Sequence, residues 1–158
     1  MSLEAETFIS LLKTTDALAR GHTELLKTAG LSVAQYNVLR ILRGASATGE
    51  AGLRCAEVGD RLITRDPDVT RLLDRLEQRD LILRARSEED RRVVTTRITP
   101  KGLALLAELD EPVEALHKRQ LGHLTPGTLR ALGGLLEDAR SAVSEGCPGE
   151  GCTEDPDT

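Results

Sequence analysis

Apolar side chains recur every three or four positions along most of this chain and every second position in one short stretch. The two periods divide it into elements. Over residues 3–28, Phe8, Leu11, Leu12, Leu18, Leu25 and Leu26 fall mostly at helical spacing, which predicts one long amphipathic helix. Gly30 suits its end, and Ser32 is placed to cap a second helix in which Val33, Tyr36, Leu39, Ile41 and Leu42 keep the same period. The stretch "GASATGEAG" (44–52) reads as a flexible, glycine-rich connection, and a short helix over 54–62 follows with Val58 and Leu62 as its apolar positions. Asp66 is then read as the cap of a helix starting at Pro67, where the missing N–H would have no helical partner anyway. Burial is expected for Val69, Leu72, Leu73 and Leu76, and the opposite face shows Arg71, Asp74, Arg75 and Gln78, with Thr70 on the flank.

The period then changes. In "LILRAR" (81–86) Leu81, Leu83 and Ala85 alternate with Ile82, Arg84 and Arg86, and in "VVTTRIT" (93–99) Val94, Thr96 and Ile98 alternate with Val93, Thr95 and Arg97. These are two strands flanking the charged tip "SEEDRR", a β-hairpin. From Pro100 the helical period returns through Leu103, Leu106, Leu109, Val113 and Leu116. A last helix is capped by Thr125, starts at Pro126, and has Leu129, Leu132, Leu135, Leu136 and Val143 on one face. The fold class is therefore mostly α with a small β-hairpin wing. A short helix, a turn, an amphipathic helix with an arginine-bearing outer face and a hairpin together make a winged helix-turn-helix.

Composition narrows the reading. The 158 residues suit one domain or two small lobes sharing a core, and the apolar supply is dominated by 27 leucines, a strong helix former. There is no basic-then-apolar leader, and no apolar run approaches the roughly 20 residues needed to cross a bilayer, so a cytoplasmic protein without membrane contact is expected. Cys55, Cys147 and Cys152 have no metal-ligand spacing, and no cofactor motif is present. The tail "SEGCPGEGCTEDPDT" lacks apolar anchors, and disorder is expected over 145–158. His22, His117 and His123 lie in separate helices without a local nucleophile or acid arrangement. With no phosphate loop, nucleophile elbow or metal pair, an enzyme is not expected.

Charge adds a further feature, open to two readings. The chain carries a net −5, yet residues 61–101 hold eleven Lys and Arg against eight Asp and Glu, while the other 117 residues hold ten against eighteen. A basic segment on an acidic body points to a polyanion site, or to a solvated surface of interleaved ion pairs. The helix from Pro67 is narrow enough for the major groove, of about 12 Å, and its arginines suit guanine; the hairpin tip suits the neighbouring minor groove. Asp66, Asp68 and Asp74 oppose this unless they cap, pair with arginine or accept from cytosine. Asp66 as a cap, and Asp74 paired with Gln78 or Arg71, are the expected arrangements.

The stretch from "LSVAQYNVLRIL" through "VTRLLDRLE" and "EDRRV" to "ITPKG", roughly residues 31–102, resembles the MarR family of bacterial transcriptional regulators. The resemblance implies a homodimer whose N- and C-terminal helices interlock, presenting two winged helices to a pseudo-palindromic operator in double-stranded DNA. It divides the chain into a dimerisation helix (1–30), a DNA-binding domain (31–99), further dimerisation helices (100–144) and the tail (145–158). Thr70, Arg71 and Arg75 fall where recognition-helix residues touch bases and phosphates. Arg92 falls at the wing-tip arginine, and Asp90 at the aspartate that orients it through an ion pair. With Arg65, Pro67, Asp68 and Arg91 they make the candidate DNA-contacting set. Asp80 stands where the family usually has Gly, which implies a slightly strained helix exit. Pro67 and Asp68 replace small hydroxyl residues.

The resemblance also implies release of DNA by a small phenolic or anionic effector, for which His22, Tyr36 and His117 are the candidate contacts, each of which would otherwise be a packing residue. A cysteine-based redox response is the alternative. Cys55 lies near a helix start, but the family's peroxide sensors use a cysteine of the first helix, which has none here, so Cys55 is expected to pack as a small apolar residue. A winged-helix protein-interaction module without DNA binding is the remaining rival, separable by the steep salt dependence that phosphate contacts impose.

Overall fold

The computed structural model describes residues 1–64, 66, 68–87, 90 and 92–145. Six helices and one hairpin follow the order α1 (Leu3–Thr28), α2 (Val33–Ala47), α3 (Cys55–Arg61), α4 (Val69–Gln78), β1 (Ile82–Arg86), β2 (Val94–Ile98), α5 (Pro100–Leu121) and α6 (Pro126–Glu145). The chain divides into two compact units, Met1–His117 and Lys118–Thr158.

In the first unit, Leu26, Leu31, Val38, Leu39, Leu42, Val58, Leu73, Leu76, Leu81, Ile82 and Leu106 form a continuous core. α2, α4 and α5 each give it a stripe, because residues three and four apart share a face, and α3 gives Val58. α1 contributes Leu26 as its one buried residue, so the apolar side chains of its first half, Phe8 and Leu12 among them, stay exposed.

Local chemistry sets the boundaries. Ser32 accepts from the Gln35 amide while the Gln35 side chain accepts from the Ser32 amide, closing a capping box at α2. At the end of α1, Gly30 takes φ +65°, and the Gly30 and Leu31 amides return to the Lys27 and Leu26 carbonyls. α4 ends the same way, with Asp80 at φ 57° in the place of the glycine. The strain expected at Asp80 is therefore present.

Two expected boundaries are corrected. α4 begins at Val69 with Asp68 as its cap, the Asp68 carboxylate accepting from the Arg71 amide at 3.1 Å; Asp66 instead accepts from the Asp68 amide at 2.8 Å, forming the turn before the helix. α2 runs on to Ala47, into the supposed flexible connection, since Gly44 is tolerated on its exposed side.

The hairpin pairs antiparallel, Ile82 with Ile98 and Arg86 with Val94 at its limits. Leu53 adds a bridge the sequence did not suggest, exchanging two backbone hydrogen bonds with Thr96 and tying the approach to α3 onto β2. Gly52 makes this possible: its φ is +133°, and a Cβ there would lie 3.0 Å from the Thr95 Cβ.

In the second unit, Thr125 caps α6 through the Thr128 amide at 3.2 Å and Pro126 is its first residue, as the sequence suggested. Leu135, Leu136 and Val143 along α6 are exposed.

Candidate nucleic-acid interface

The α3–turn–α4 segment and the hairpin carry the candidate DNA-contacting residues, α4 offering Arg71 and Arg75 and the hairpin Arg86, Arg92 and Arg97. On α4, Leu73 and Leu76 are buried, Val69 and Leu72 pack at the edge of the core, and Thr70, Arg71, Arg75 and Gln78 are exposed on the opposite side. Gly59 on α3 admits Val69, since a Cβ there would stand 3.3 Å from Val69 Cγ2.

The acids that opposed a polyanion site are each engaged. Asp66 and Asp68 bind backbone amides of the turn and the helix start. Asp74 does not pair with Arg71 or Gln78. It accepts from Arg84 Nη2 on β1 at 2.5 Å, and Glu77 accepts from the same guanidinium at 2.6 and 2.9 Å and from the Arg84 amide at 3.2 Å. The Arg84 guanidinium holds the Glu77 carboxyl below its ordinary range, and the two acids raise Arg84 in return. Among the described residues Arg71, Arg75 and Arg92 form no ion pair. The surface therefore combines an ion-paired part, in which Arg84 meets Asp74 and Glu77, with these three exposed arginines.

At the wing, Arg86, Arg92 and Arg97 are exposed. The expected ion pair between Asp90 and Arg92 is replaced by a backbone contact: the Arg92 amide donates to Asp90 Oδ1 at 2.9 Å, and the Val93 amide donates to the Asp90 carbonyl at 2.9 Å. A short acid bonded to the amide two residues on makes a tight turn, so Asp90 fixes the backbone that carries Arg92 rather than its guanidinium. Arg65, Pro67 and Arg91 of the candidate set, and Cys147, Cys152 and nearly all of the expected disordered tail, lie outside the described residues.

Cys55 is exposed, with Sγ 3.7 Å from Thr70 Oγ1, so it is not the buried packing residue expected. It opens α3 on the same surface as the outer face of α4. Among the described residues no group of His, Cys, Asp or Glu is placed to hold a metal ion.

Away from this surface, His22, Tyr36 and His117 converge from α1, α2 and α5. The His22 ring meets Tyr36 edge-on at 5.4 Å between centroids and His117 at 5.8 Å. Arg40 Cζ lies 5.9 Å from the Tyr36 ring centre. His22 Nε2 is buried without a hydrogen-bond partner. Burial, then His117 and Arg40, lower the His22 pKa, while burial raises that of Tyr36. Arg40 sets a positive charge at the edge of the cluster.

Sequence reasoning missed Arg84, Arg79 and Lys101. Arg79 donates to the carbonyls of Gly30 at 2.6 Å and Ala29 at 3.1 Å, and Lys101 Nζ donates to the Arg79 carbonyl at 2.7 Å. For Arg84 a signal existed. It alternates onto the same strand face as Ile82, which turns it toward a helix carrying Asp74 and Glu77 three residues apart.

Residues 31–94 match the MarR family. The HTH-type transcriptional regulator TtmR of Methylorubrum extorquens (strain PA1) is 31% identical over 155 residues, 98% of this chain and 74% of that protein. A MarR transcription factor crystal structure from Planctomyces limnophilus is 42% identical with a TM-score of 0.65, over 87% of this chain and 97% of the other. The chain spans 66% of another relative, MhqR of Bacillus subtilis (strain 168), with 32% identity over 58% of its own length. The fold also matches a crystal structure of a mutant MarR from E. coli complexed with operator DNA, at 24% identity and TM-score 0.74, over 88% of this chain and 99% of that one.

Proposed function

Because this chain belongs to the MarR family of transcriptional regulators, we propose that it is a ligand-responsive repressor that binds an inverted-repeat operator as a homodimer. The observation that carries the reading is the outer face of α4. Arg71 and Arg75 stand exposed and without ion pairs among the described residues, while every acid from Asp66 to Glu77 is bonded elsewhere. A basic helix face beside a basic hairpin suits a major groove and the adjacent minor groove, with Arg and Lys giving affinity through phosphate and the outer face of α4 giving selectivity. The E. coli MarR structure of the same fold, complexed with operator DNA, supports DNA as the partner.

Residues 31–99 are the DNA-binding part of this proposal; 1–30 and 100–144 form the dimer. Exposed Phe8 and Leu12 on α1, with Leu135, Leu136 and Val143 on α6, supply apolar area of the kind dimers bury. His22, Tyr36 and His117 are the effector contacts. A phenolic or anionic molecule would give His22 Nε2 a partner and meet the positive charge of Arg40.

The test is selection of bound duplexes from a random pool across a salt series. An enriched inverted repeat with half-sites about one helical turn apart is the expected result. Salt-sensitive binding with no enriched motif would reduce the surface to a nonspecific polyanion site, and absence of binding would favour a protein partner. Arg92→Ala should weaken binding to the selected duplex and leave dimerisation, read by light scattering, unchanged.

A further inference from the structure

Asp74 lies on α4 three residues from Arg71 and beside Arg75, on the helix face that would approach DNA. Left free, it would repel phosphate and also compete for the Arg71 guanidinium, its neighbour one turn back. Arg84 prevents both. Its Nη2 is 2.5 Å from Asp74 Oδ1 and 2.6 Å from Glu77 Oε2, its Nε is 2.9 Å from Glu77 Oε2, and its own amide donates to Glu77 Oε1. The Arg84 side chain is only 25% exposed, against 46% for Asp74 and 36% for Glu77, so the cation draws both acids inward toward β1. A bidentate guanidinium suits this because its planar fork spans two carboxylates in a fixed direction, which a lysine would not.

We propose that Arg84 is a positioning residue for DNA recognition: it holds Asp74 and Glu77 against the hairpin and so keeps Arg71 and Arg75 available to DNA. This rests on the DNA-binding reading above and adds to it a residue that touches no DNA. The same contact joins the recognition helix to the wing strand.

The experiment compares wild type, Arg84→Gln, the triple variant with Asp74→Asn and Glu77→Gln added, and the Asp74→Asn, Glu77→Gln double variant on the duplex that wild type selects. Arg84→Gln should bind on the order of tenfold more weakly, with a salt slope shallower by about one unit, as expected when one arginine turns from phosphate to Asp74. The triple variant, nearly isosteric with Arg84→Gln, should recover most of both losses. A merely structural role for Arg84 would leave the triple variant as weak as the single one, and that result, or an undiminished Arg84→Gln, overturns the inference. The double variant tests it without touching Arg84 and should bind as tightly as wild type or tighter; weaker binding also overturns it. Failure of wild type to select any duplex would instead overturn the DNA-binding reading, and this inference with it.

Discussion

Gly102 sits in the first turn of α5, where the helix crosses the root of the hairpin. A Cβ built there would lie 2.3 Å from the Leu81 carbonyl oxygen and 2.8 Å from Ile98 Cγ1. Ordinary contact needs about 1 Å more, and the first obstacle is backbone. The Leu81 carbonyl accepts from the Thr99 amide at 3.1 Å, and the Leu81 amide closes the end of α4 on the Leu76 carbonyl. A methyl group therefore has to displace the start of α5, or a carbonyl held at both sides. Overpacking of this kind costs about 2–3 kcal/mol, and the helix propensity of alanine returns about 1 kcal/mol. Gly102→Ala should thus destabilise by about 1–2 kcal/mol, lowering the Tm by about 2–8 °C for a chain of this size. Gly44→Ala is the matched control in the same unit, since it lies within α2 with nothing inside 4 Å and should stabilise by about 0.5–1 kcal/mol. Thermal melts by far-UV circular dichroism at one fixed chain concentration measure both, because association makes the Tm concentration-dependent. A Gly102→Ala protein that melts at or above wild type would refute the packing argument, whatever the control does.

Three further outcomes are expected. Asp80 occupies left-handed backbone at φ 57°, so Asp80→Gly should be neutral or stabilising by up to about 1 kcal/mol while Asp80→Val destabilises; urea titrations giving the reverse order would contradict the strain. His22 has its pKa lowered by burial, then by His117 and Arg40, so the unfolded chain binds more protons than the folded one just below pH 6.5; the contribution of neutral His22 to stability is complete above that pH and lost as the pH falls through the lowered value, and a Tm–pH curve for His22→Phe should be flatter there. Leu76 is fully buried beneath α4, and Leu76→Ala should cost about 2–5 kcal/mol in urea unfolding, a loss under 1 kcal/mol showing that the site collapses around the smaller side chain.

The helices were legible because their faces are set by local spacing, and the caps at Ser32 and Thr125 because a hydroxyl bonding an amide three residues on is a local event. The start of α4 was not. Asp66 followed by proline has the stronger local signal, but the helix begins at Val69, which packs against Gly59, with Asp68 as its cap. Asp74 illustrates the larger limit. Sequence offers its helical neighbours Arg71 and Gln78, whereas the partner it takes, Arg84, lies ten residues on and arrives only when the strand folds back. The meeting of His22, Tyr36 and His117 depends likewise on three helices brought together by the core. Their residue types suggested a role; their adjacency was invisible.

What aims α4 is chemically distinct from what α4 displays. Its last carbonyls are satisfied by the Asp80 and Leu81 amides, and Lys101 from α5 takes the carbonyl of Arg79. The Arg79 side chain then reaches the final carbonyls of α1, at Ala29 and Gly30. Three helix ends are thus joined through backbone acceptors, which any sequence on the outer face of α4 would leave unchanged, and cations at helix C-termini are also favoured by the helix dipole. Arg84 performs the matching task along the side of the helix, fixing α4 to β1 through carboxylates rather than through the exposed arginines. On the DNA-binding proposal, substitutions at Thr70, Arg71 or Arg75 remove contacts to bases and phosphates, whereas substitutions at Arg79 or Lys101 alter how every sequence is presented to the helix. Loss of a base contact in the first class should change specificity at single base positions, and the second class should weaken all operators together.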